Sequence, residues 1–346
     1  MSLAGFSGIT LYEPSELVIG AKTGTPLSLI EATLRERGQM LPFEPMDHRA
    51  IFGTAGEPTM GGVFAANVSG PRRISAGAAR DHLLGVTLVN GRGQLVKNGG
   101  RVMKNVTGLD LVKLSGGAMG TLGVLTEVIL KVLPAPETAQ TLVFHGLSVE
   151  RAVALMSSAM GSPFEVAAAA HLPGEGDEHK TLLRVEGFAG SVTYRLESLR
   201  ARLAEFGVPT IIGPEEGVEL WRSIRDVRVL KARPVDEIWR VGIAPSKAAA
   251  LVAALPATEG LRIMLDWAGG LIWIAAPAEA GIERGFRTEV ARLGGHATLV
   301  RAADERRSAV PVYQPLAAPL MVLTKGVKAS FDPDRLFNPG RMYEGI

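Results

Sequence analysis

Apolar positions in the first third of the chain change their period several times. Residues 17–22 form a short apolar run closed by Thr23-Gly24-Thr25-Pro26, which predicts a strand and a turn. Leu27, Ile30 and Leu34 then recur at helical spacing with Gly38 as the stop, so 27–38 is predicted as a helix. Two β-type runs between 83 and 97 flank Asn90-Gly91, a hairpin dipeptide, and 124–134 reads as a strand closed by Pro134. The Pro-Ala-Pro-Glu stretch at 134–137 reads as a linker, which divides the chain into 1–135 and 136–346.

Beyond the linker, strand and helix patterns alternate and group into two similar units. Strands are predicted near 139–145, 165–171, 180–186 and 208–212, with helices near 148–160 and 190–206. The same order returns with strands near 236–243, 261–265, 270–276 and 296–300 and helices near 246–254 and 280–293. Each unit is a βαββαβ, ferredoxin-like arrangement, and two of them joined edge to edge make one antiparallel sheet covered by helices on one face. A bridging helix is expected at 215–230. A further helix should begin near 316 and end at Asp332-Pro333, followed by the turn Asn338-Pro339-Gly340. The fold class is α+β.

Composition narrows the function. At 47% hydrophobic, 346 residues can bury two cores without disulfides or metals. Lys and Arg total 37 against 35 Asp and Glu, and without a long basic run this balance argues against a nucleic-acid surface. There is no cysteine, so the chain itself offers no thiolate for an iron–sulfur cluster or zinc. No long apolar span or leader-type start is present, which predicts a cytoplasmic chain without a transmembrane segment. His48, His82, His145, His171, His179 and His296 are scattered without metal-ligand spacing. Nucleophile-elbow, His-Glu-x-x-His and P-loop motifs are likewise missing.

What stands out is glycine, clustered at Gly61-Gly62, Gly99-Gly100, Gly116-Gly117 and Gly120/Gly123 between short apolar strands. Where no Cβ intervenes, backbone N–H groups can approach a pyrophosphate, though ordinary turn chemistry is the commoner cause of such clusters. Order and side chains add to the spacing. Thr59, Gly61, Gly62 and Asn67 are followed by Gly77, Arg80 and Asp81, then by Lys104, Asn105, Gly108, Asp110 and Leu111, then by Gly120, Leu122, Gly123, Thr126 and Glu127. This run resembles the vanillyl-alcohol-oxidase, or PCMH-type, family of FAD-binding domains. SGPRR at 69–73, VMKNVTGLDL at 102–111 and FNPGRMY at 337–343 resemble in particular the FAD-binding subunits of bacterial glycolate oxidases.

The resemblance implies an FAD-binding PCMH-type domain at 1–135 and a cap at 136–346 whose C-terminal segment returns to the first domain. It implies cofactor contacts at Thr59, Gly61, Gly62, Asn67, Gly77, Asp81, Gly120, Thr121, Gly123, Val124 and Thr126, with 120–126 the principal stretch. It also implies partners: a homologous FAD-containing catalytic subunit and an iron–sulfur subunit, acting on a small 2-hydroxy acid, in a complex peripheral to the inner membrane. One departure is large. The family's domain normally opens with an earlier lobe carrying an Arg-Gly-Gly-Gly-type loop that wraps the pyrophosphate. Without it, three charge-assisted hydrogen bonds at about 2 kcal/mol each are lost, which weakens FAD by roughly four decades. FAD is therefore expected to be weakly held or absent after purification.

No catalytic base is identified, and the family's His-rich metal segment is missing. Arg72 and Arg73 face a phosphate, a partner or solvent; Asp81 caps a turn or touches cofactor; Lys104 and Asn105 approach the flavin or make a turn; Arg341 reaches the flavin edge or solvent. The basic stretch at 221–233 is either a solvated helix face or a surface for an acidic partner. Three functions follow: the FAD-binding subunit of a glycolate-oxidising complex, which fits best; a self-sufficient dehydrogenase of a D-2-hydroxy acid, needing an anion-binding arginine among Arg184, Arg240 and Arg262; and a non-catalytic structural subunit.

Overall fold

A computed structural model describes residues 2–101, 108–172, 174 and 178–346. Lys104 and Asn105 lie outside the described residues. The strands in chain order are β1 (Ile9–Glu13), β2 (Val18–Lys22), β3 (Gln39–Met40), β4 (Leu83–Val89), β5 (Leu95–Gly99), β6 (Val124–Lys131), β7 (Leu133–Pro134), β8 (Thr138–His145), β9 (Ala168–Leu172), β10 (Lys180–Gly187), β11 (Thr210–Ile212), β12 (Glu237–Gly242), β13 (Arg262–Asp266), β14 (Leu271–Ala276) and β15 (His296–Arg301). They form a five-stranded sheet ordered β1-β2-β6-β4-β5 and an eight-stranded sheet ordered β11-β8-β10-β9-β13-β14-β12-β15, with β3 paired to β7.

In the first sheet every pairing is antiparallel. Helix Leu27–Arg35 turns Leu27, Ile30 and Leu34 inward as its spacing predicts, and Gly38, at φ 62, ends the segment. These side chains pack with Met60, Phe64, Val128 and Leu130 into one core. The β4–β5 hairpin departs from a two-residue turn. Asn90 Oδ1 accepts the N–H groups of Arg92 and Gln94, and the positive φ falls on Gly93 instead of Gly91. Gly91 is needed for a different reason: a Cβ there would sit 2.3 Å from Asp332 Oδ1. Gly91→Ala is expected to cost about 1–3 kcal/mol by overpacking, read as a lower midpoint in urea unfolding.

The second sheet is two copies of one topology. Its first unit runs β11-β8-β10-β9 and its second β13-β14-β12-β15, the mirror order, joined where Leu265 of β13 pairs with His171 of β9. Helices Val149–Met160, Ala189–Arg202, Ala248–Ala253 and Glu283–Arg292 cover one face. The core beneath them includes Leu142, Leu183, Trp239, Ile272 and Ile274. The opposite face is also covered. Met46 and Ile51 of the first half and Trp221 and Ile224 of helix Pro214–Arg225 pack on Val143, Leu182, Ile238 and Met264. Burial on both faces explains why β14 is an unbroken apolar run instead of an alternating one. The bridging helix is shorter than the sequence suggests. It stops at Arg225, and Val227 turns to φ 58 before the short turn Arg228–Leu230.

The last helix, Ala318–Phe331, brings the chain back to the first sheet. Gly91 N–H donates to Phe331 O at 2.9 Å. Asn338 Nδ2 donates to Met119 O at 2.8 Å. Lys328 Nζ donates to Thr121 O at 2.6 Å, and it is buried with Asp332, whose carboxylate lies 2.6 Å away.

Candidate functional site

Between the two sheets lies a cleft of about 1410 Å³. Its floor is a row of directly opposed side chains on one face of the second sheet. Arg240 of β12 faces Trp273 of β14 on one side and Thr298 of β15 on the other, and His296 enters opposite Gly242. Its other wall is built from the loops of the first half: Thr59, Gly62, Asn67, Arg73, Arg80 and Gly117. The described lining carries seven arginines, including Arg301, Arg307 and Arg341, against one carboxylate, Asp304.

Local chemistry sets each piece of that wall. Thr59 caps the short helix Met60–Ala65 by accepting from Gly62 N–H. Asn67, at φ 50, accepts the Arg80 N–H at 2.9 Å, and Gly117 packs beside the Asn67 Cβ. A Cβ on Gly116 would stand 2.7 Å from that of Arg80, so this glycine permits two loops to touch. The backbone N–H groups of Gly61, Gly116, Gly117 and Met119 all donate to protein carbonyls. The positive character of the cleft therefore comes chiefly from guanidinium groups.

The structure gathers some expected residues and separates others. Thr59, Gly62 and Asn67 line the cleft. Gly61 packs on Thr23, and Asp81 Oδ2 accepts the Ala78 N–H at 2.8 Å while lying against Gly77. The stretch from Gly120 to Thr126 is outside the lining. Gly120 approaches Asn338, Thr121 Oγ1 donates to Ala118 O, Gly123 packs on Val89 O, Val124 pairs with Val89, and Thr126 Oγ1 donates to Thr87 O. Of the SGPRR pair, Arg72 forms an ion pair with Glu186, whereas Arg73 turns into the cleft. In the basic stretch 221–233, Arg222 and Arg228 both pair with Glu219.

Trp267, His296 and Tyr313 also line the cleft, and nothing local in the sequence marks them as site residues. Trp267 is held in the left-handed region at φ 51, followed by Ala268 at φ 55 and Gly269 at φ 98. Two bonds fix it there: its N–H donates to Asp266 Oδ1 at 2.7 Å and its indole Nε1 to Gly70 O at 3.0 Å. Such paired left-handed residues cost energy and persist where the surroundings over-determine them. His296 is held below the usual histidine range by burial, then by Arg240 and Arg73.

Behind Trp267, burial pushes the Asp266 carboxyl up to about 7, with Glu44 adding to it and the Trp267 N–H, Arg184 and Arg240 opposing. The folded chain thus holds this proton more tightly than the unfolded chain does. Its contribution is complete below about pH 4 and is lost as pH rises through about 7. Asp266→Asn keeps an acceptor for Trp267, so it should leave stability unchanged at pH 4 and raise it at pH 8 by on the order of 4 kcal/mol. Thermal melts at the two pH values check this.

Among the described residues no group of His, Asp and Glu suited to a metal is found, and no helix is long and apolar enough to cross a membrane. An FAD-type ligand, by contrast, meets matching features: a basic surface for its phosphates, apolar faces from Met46, Phe52 and Trp273 for its rings, and an open backbone at Gly62.

Comparison with known proteins agrees with this geometry. Residues 1–99 match the family model of an FAD binding domain. The chain is 34% identical over 336 residues to glycolate oxidase subunit GlcE of Escherichia coli, covering 97% of this chain and 85% of that protein. It is 28% identical to a D-lactate dehydrogenase of Anaerostipes hadrus over 77% of this chain but only 54% of that enzyme. A solved structure of alkyldihydroxyacetonephosphate synthase superposes with a TM-score of 0.67 at 14% identity, covering 96% of this chain and 66% of that one, a likeness of fold alone. The fold is that of a flavoprotein oxidoreductase with a PCMH-type FAD-binding domain. Within that class the chain belongs to the family of the FAD-binding subunits of glycolate oxidase.

Proposed function

We propose that this chain is the FAD-binding subunit of a complex that oxidises glycolate or a closely related 2-hydroxy acid. A homologous flavin subunit and an iron–sulfur subunit complete the complex. The chain divides into an FAD-binding domain at 1–135 and a cap at 136–346, with the C-terminal segment completing the first. The observation that carries the reading is the arginine-lined cleft between the two halves, with Thr59, Gly62 and Asn67 in one wall.

When bound, the flavin supplies the two-electron redox chemistry. The chain's own work is to orient it, neutralise its pyrophosphate and shield it between the two sheets. Arg80 and Arg73 supply charge from the first wall, and the face carrying Trp273 and Arg240 closes the other. Electrons leave through partner groups, because a chain without cysteine provides no thiolate-held cluster of its own.

Gly62 gives a direct test. It is helical, and an added Cβ would meet only Thr59 Oγ1, at 3.6 Å, so a larger side chain is accommodated by the fold but projects into the ligand's space. Gly62→Leu is expected to lower FAD affinity at least about tenfold, a loss of ~1.4 kcal/mol, with an unchanged or higher melting temperature because leucine favours helix. Titration followed by flavin fluorescence reads the first and a thermal melt the second. Equal FAD affinity in both proteins would remove the cleft as the flavin site.

A further inference from the structure

The turn between β13 and β14 carries strain that lining a cleft does not require. Trp267, Ala268 and Gly269 follow one another at φ 51, 55 and 98, so two residues with side chains sit in the left-handed region. That conformation costs energy and persists only where contacts hold it. Ala268 is seated in the helix-side core. Trp267 is held from two other directions. Its backbone N–H donates to Asp266 Oδ1 at 2.7 Å, and its indole Nε1 crosses to the first half of the chain, where Gly70 O accepts at 3.0 Å. Gly70 is itself fixed: its N–H donates to Phe43 O, and a Cβ there would stand 2.3 Å from Glu44 O. Trp267 thus fastens the cap to the first half.

The group behind this fastening is a carboxyl in an awkward place. Asp266 is 2% exposed and outside the cleft lining, whereas Trp267 is part of that lining. Arg184 acts on it from β10, Glu44 from the first half and Arg240 from β12. None of these compensates a negative charge directly. Arg184 is committed to Glu44 at 2.7 Å and to Glu186 at 2.9 Å, and Arg72 also pairs with Glu186. Arg73 and Arg240 lie over the Trp267 ring, their guanidinium carbons 4.3 Å and 5.2 Å from its centroid. Among the described residues no cation stands at ion-pair distance from Asp266. An ionised carboxylate here lacks the partner that buried charge needs, so the neutral acid is the form that fits.

We propose that the Asp266–Trp267 turn is a proton-operated latch, which fastens the cap to the first half while Asp266 is neutral and releases Gly70 when Asp266 ionises. Solvation sets this order of events. An ionised Asp266 gains stability from water or from a cation brought closer, and displacing the neighbouring indole at the cleft surface opens the way to both. Displacement also relieves the left-handed conformation of Trp267. The closed turn holds the Asp266 proton up to about pH 7, whereas a released, solvated aspartate loses it near 4. Release therefore gains about tenfold for each pH unit between those values and levels off above 7. The latch needs no ligand; its consequence, a looser cleft and weaker FAD at high pH, rests on assigning the cleft to flavin.

Amide hydrogen exchange of the flavin-free full chain, read as protection factors between pH 5 and 8, tests the latch because it detects even rare openings. In wild type the Trp267 amide should be less protected than core amides such as those of Leu183 and Ile274, and its protection should fall about a hundredfold over this range. In Asp266→Asn, where the acceptor remains and no charge can form, that dependence should vanish. His296→Gln should keep it, which separates the latch from the cleft histidine. Trp267→Phe lacks the indole N–H, so the amide at 267 should already be about tenfold less protected at pH 5.

A Trp267 amide as protected as the core would overturn the proposal, since the turn would then open only with the whole fold. So would a pH dependence that survives in Asp266→Asn. Should that variant fail to fold, unchanged protection in Trp267→Phe overturns it equally. FAD titrations at pH 5.5 and 8 form the second arm: wild type should bind at least about threefold more weakly at pH 8, and Asp266→Asn equally at both. Equal wild-type affinities, with the exchange result intact, would overturn the effect on the cleft. No FAD binding at either pH, with the exchange result intact, would reject the flavin reading and leave the latch standing.

Discussion

Replacing Lys328 by methionine is expected to lower the unfolding free energy by about 3–5 kcal/mol, the cost of breaking one side of a buried ion pair. The Lys328 side chain is 3% exposed and that of Asp332 is fully buried. The ammonium donates to Thr121 O, Asp332 Oδ2 and Phe337 O at 2.6, 2.6 and 2.8 Å, which satisfies all three of its protons. Asp332 in turn accepts the N–H groups of Leu336 and Phe337. Removing the cation strands a carboxylate in this site and unfastens the segment that carries Arg341 to the cleft, so FAD affinity should fall with stability.

Lys328→Met/Asp332→Asn removes the stranded charge while keeping an acceptor for the turn, and should recover part of the loss. Urea unfolding of the three proteins measures both effects. A single variant as stable as wild type would mean that the pair does not hold the segment. The pH dependence has a definite sign. Burial alone would raise Asp332, but Lys328 and the two N–H groups outweigh it and hold the carboxyl below the usual range. Its contribution is therefore complete above about pH 4 and is lost as pH falls below that value through the folded pKa. The double variant should show a flatter acid limb.

The second large effect concerns the seam between the two halves. Arg184→Met is expected to cost about 3–5 kcal/mol, because it removes the guanidinium that Glu44 and Glu186 share in a largely buried site and leaves Arg72 to serve both. Glu44 belongs to the first half and sits in the left-handed region at φ 43. Arg184 and Glu186 are on β10, where Arg184 also stacks on Trp221 at 4.7 Å. Burial raises Glu44, yet Arg184 and then Arg72 hold it below the usual carboxylate range. Loss of the bridge should loosen one half from the other, so calorimetry is expected to resolve two unfolding steps where wild type shows one. Arg184→Lys should be intermediate, since a point charge replaces a two-pronged fork. A single unaltered transition in Arg184→Met would show that apolar packing alone, with Met46 and Ile51 against the sheet, joins the halves.

Much of the architecture was legible because its signals are local. Spacing of Leu27, Ile30 and Leu34 placed a helix, and alternation of strand and helix patterns after 138 placed two βαββαβ units, which the eight-stranded sheet realises. What the sequence left out clusters where a distant segment intervenes. Asn90-Gly91 marked a hairpin, which forms, but the closeness of Asp332 explains the glycine. The apolar run of β14 gave no sign that its second face would be covered by residues from more than 200 positions earlier, Met46 and Ile51.

The sequence by itself determined the α+β class and the family, since propensity, period and motif order are properties of neighbouring residues. Only the tertiary structure decided which arginines are free to bind. Arg72 and Arg73 are adjacent in the chain, and Arg184, Arg240 and Arg262 are equivalent as letters. Yet Glu186, Glu44 and Asp236 neutralise three of these five, while Arg73 and Arg240 remain against Trp267. Whether a guanidinium is available depends on which carboxylate the fold brings within 4 Å of it, and that distance is set by strand register and the docking of the two sheets.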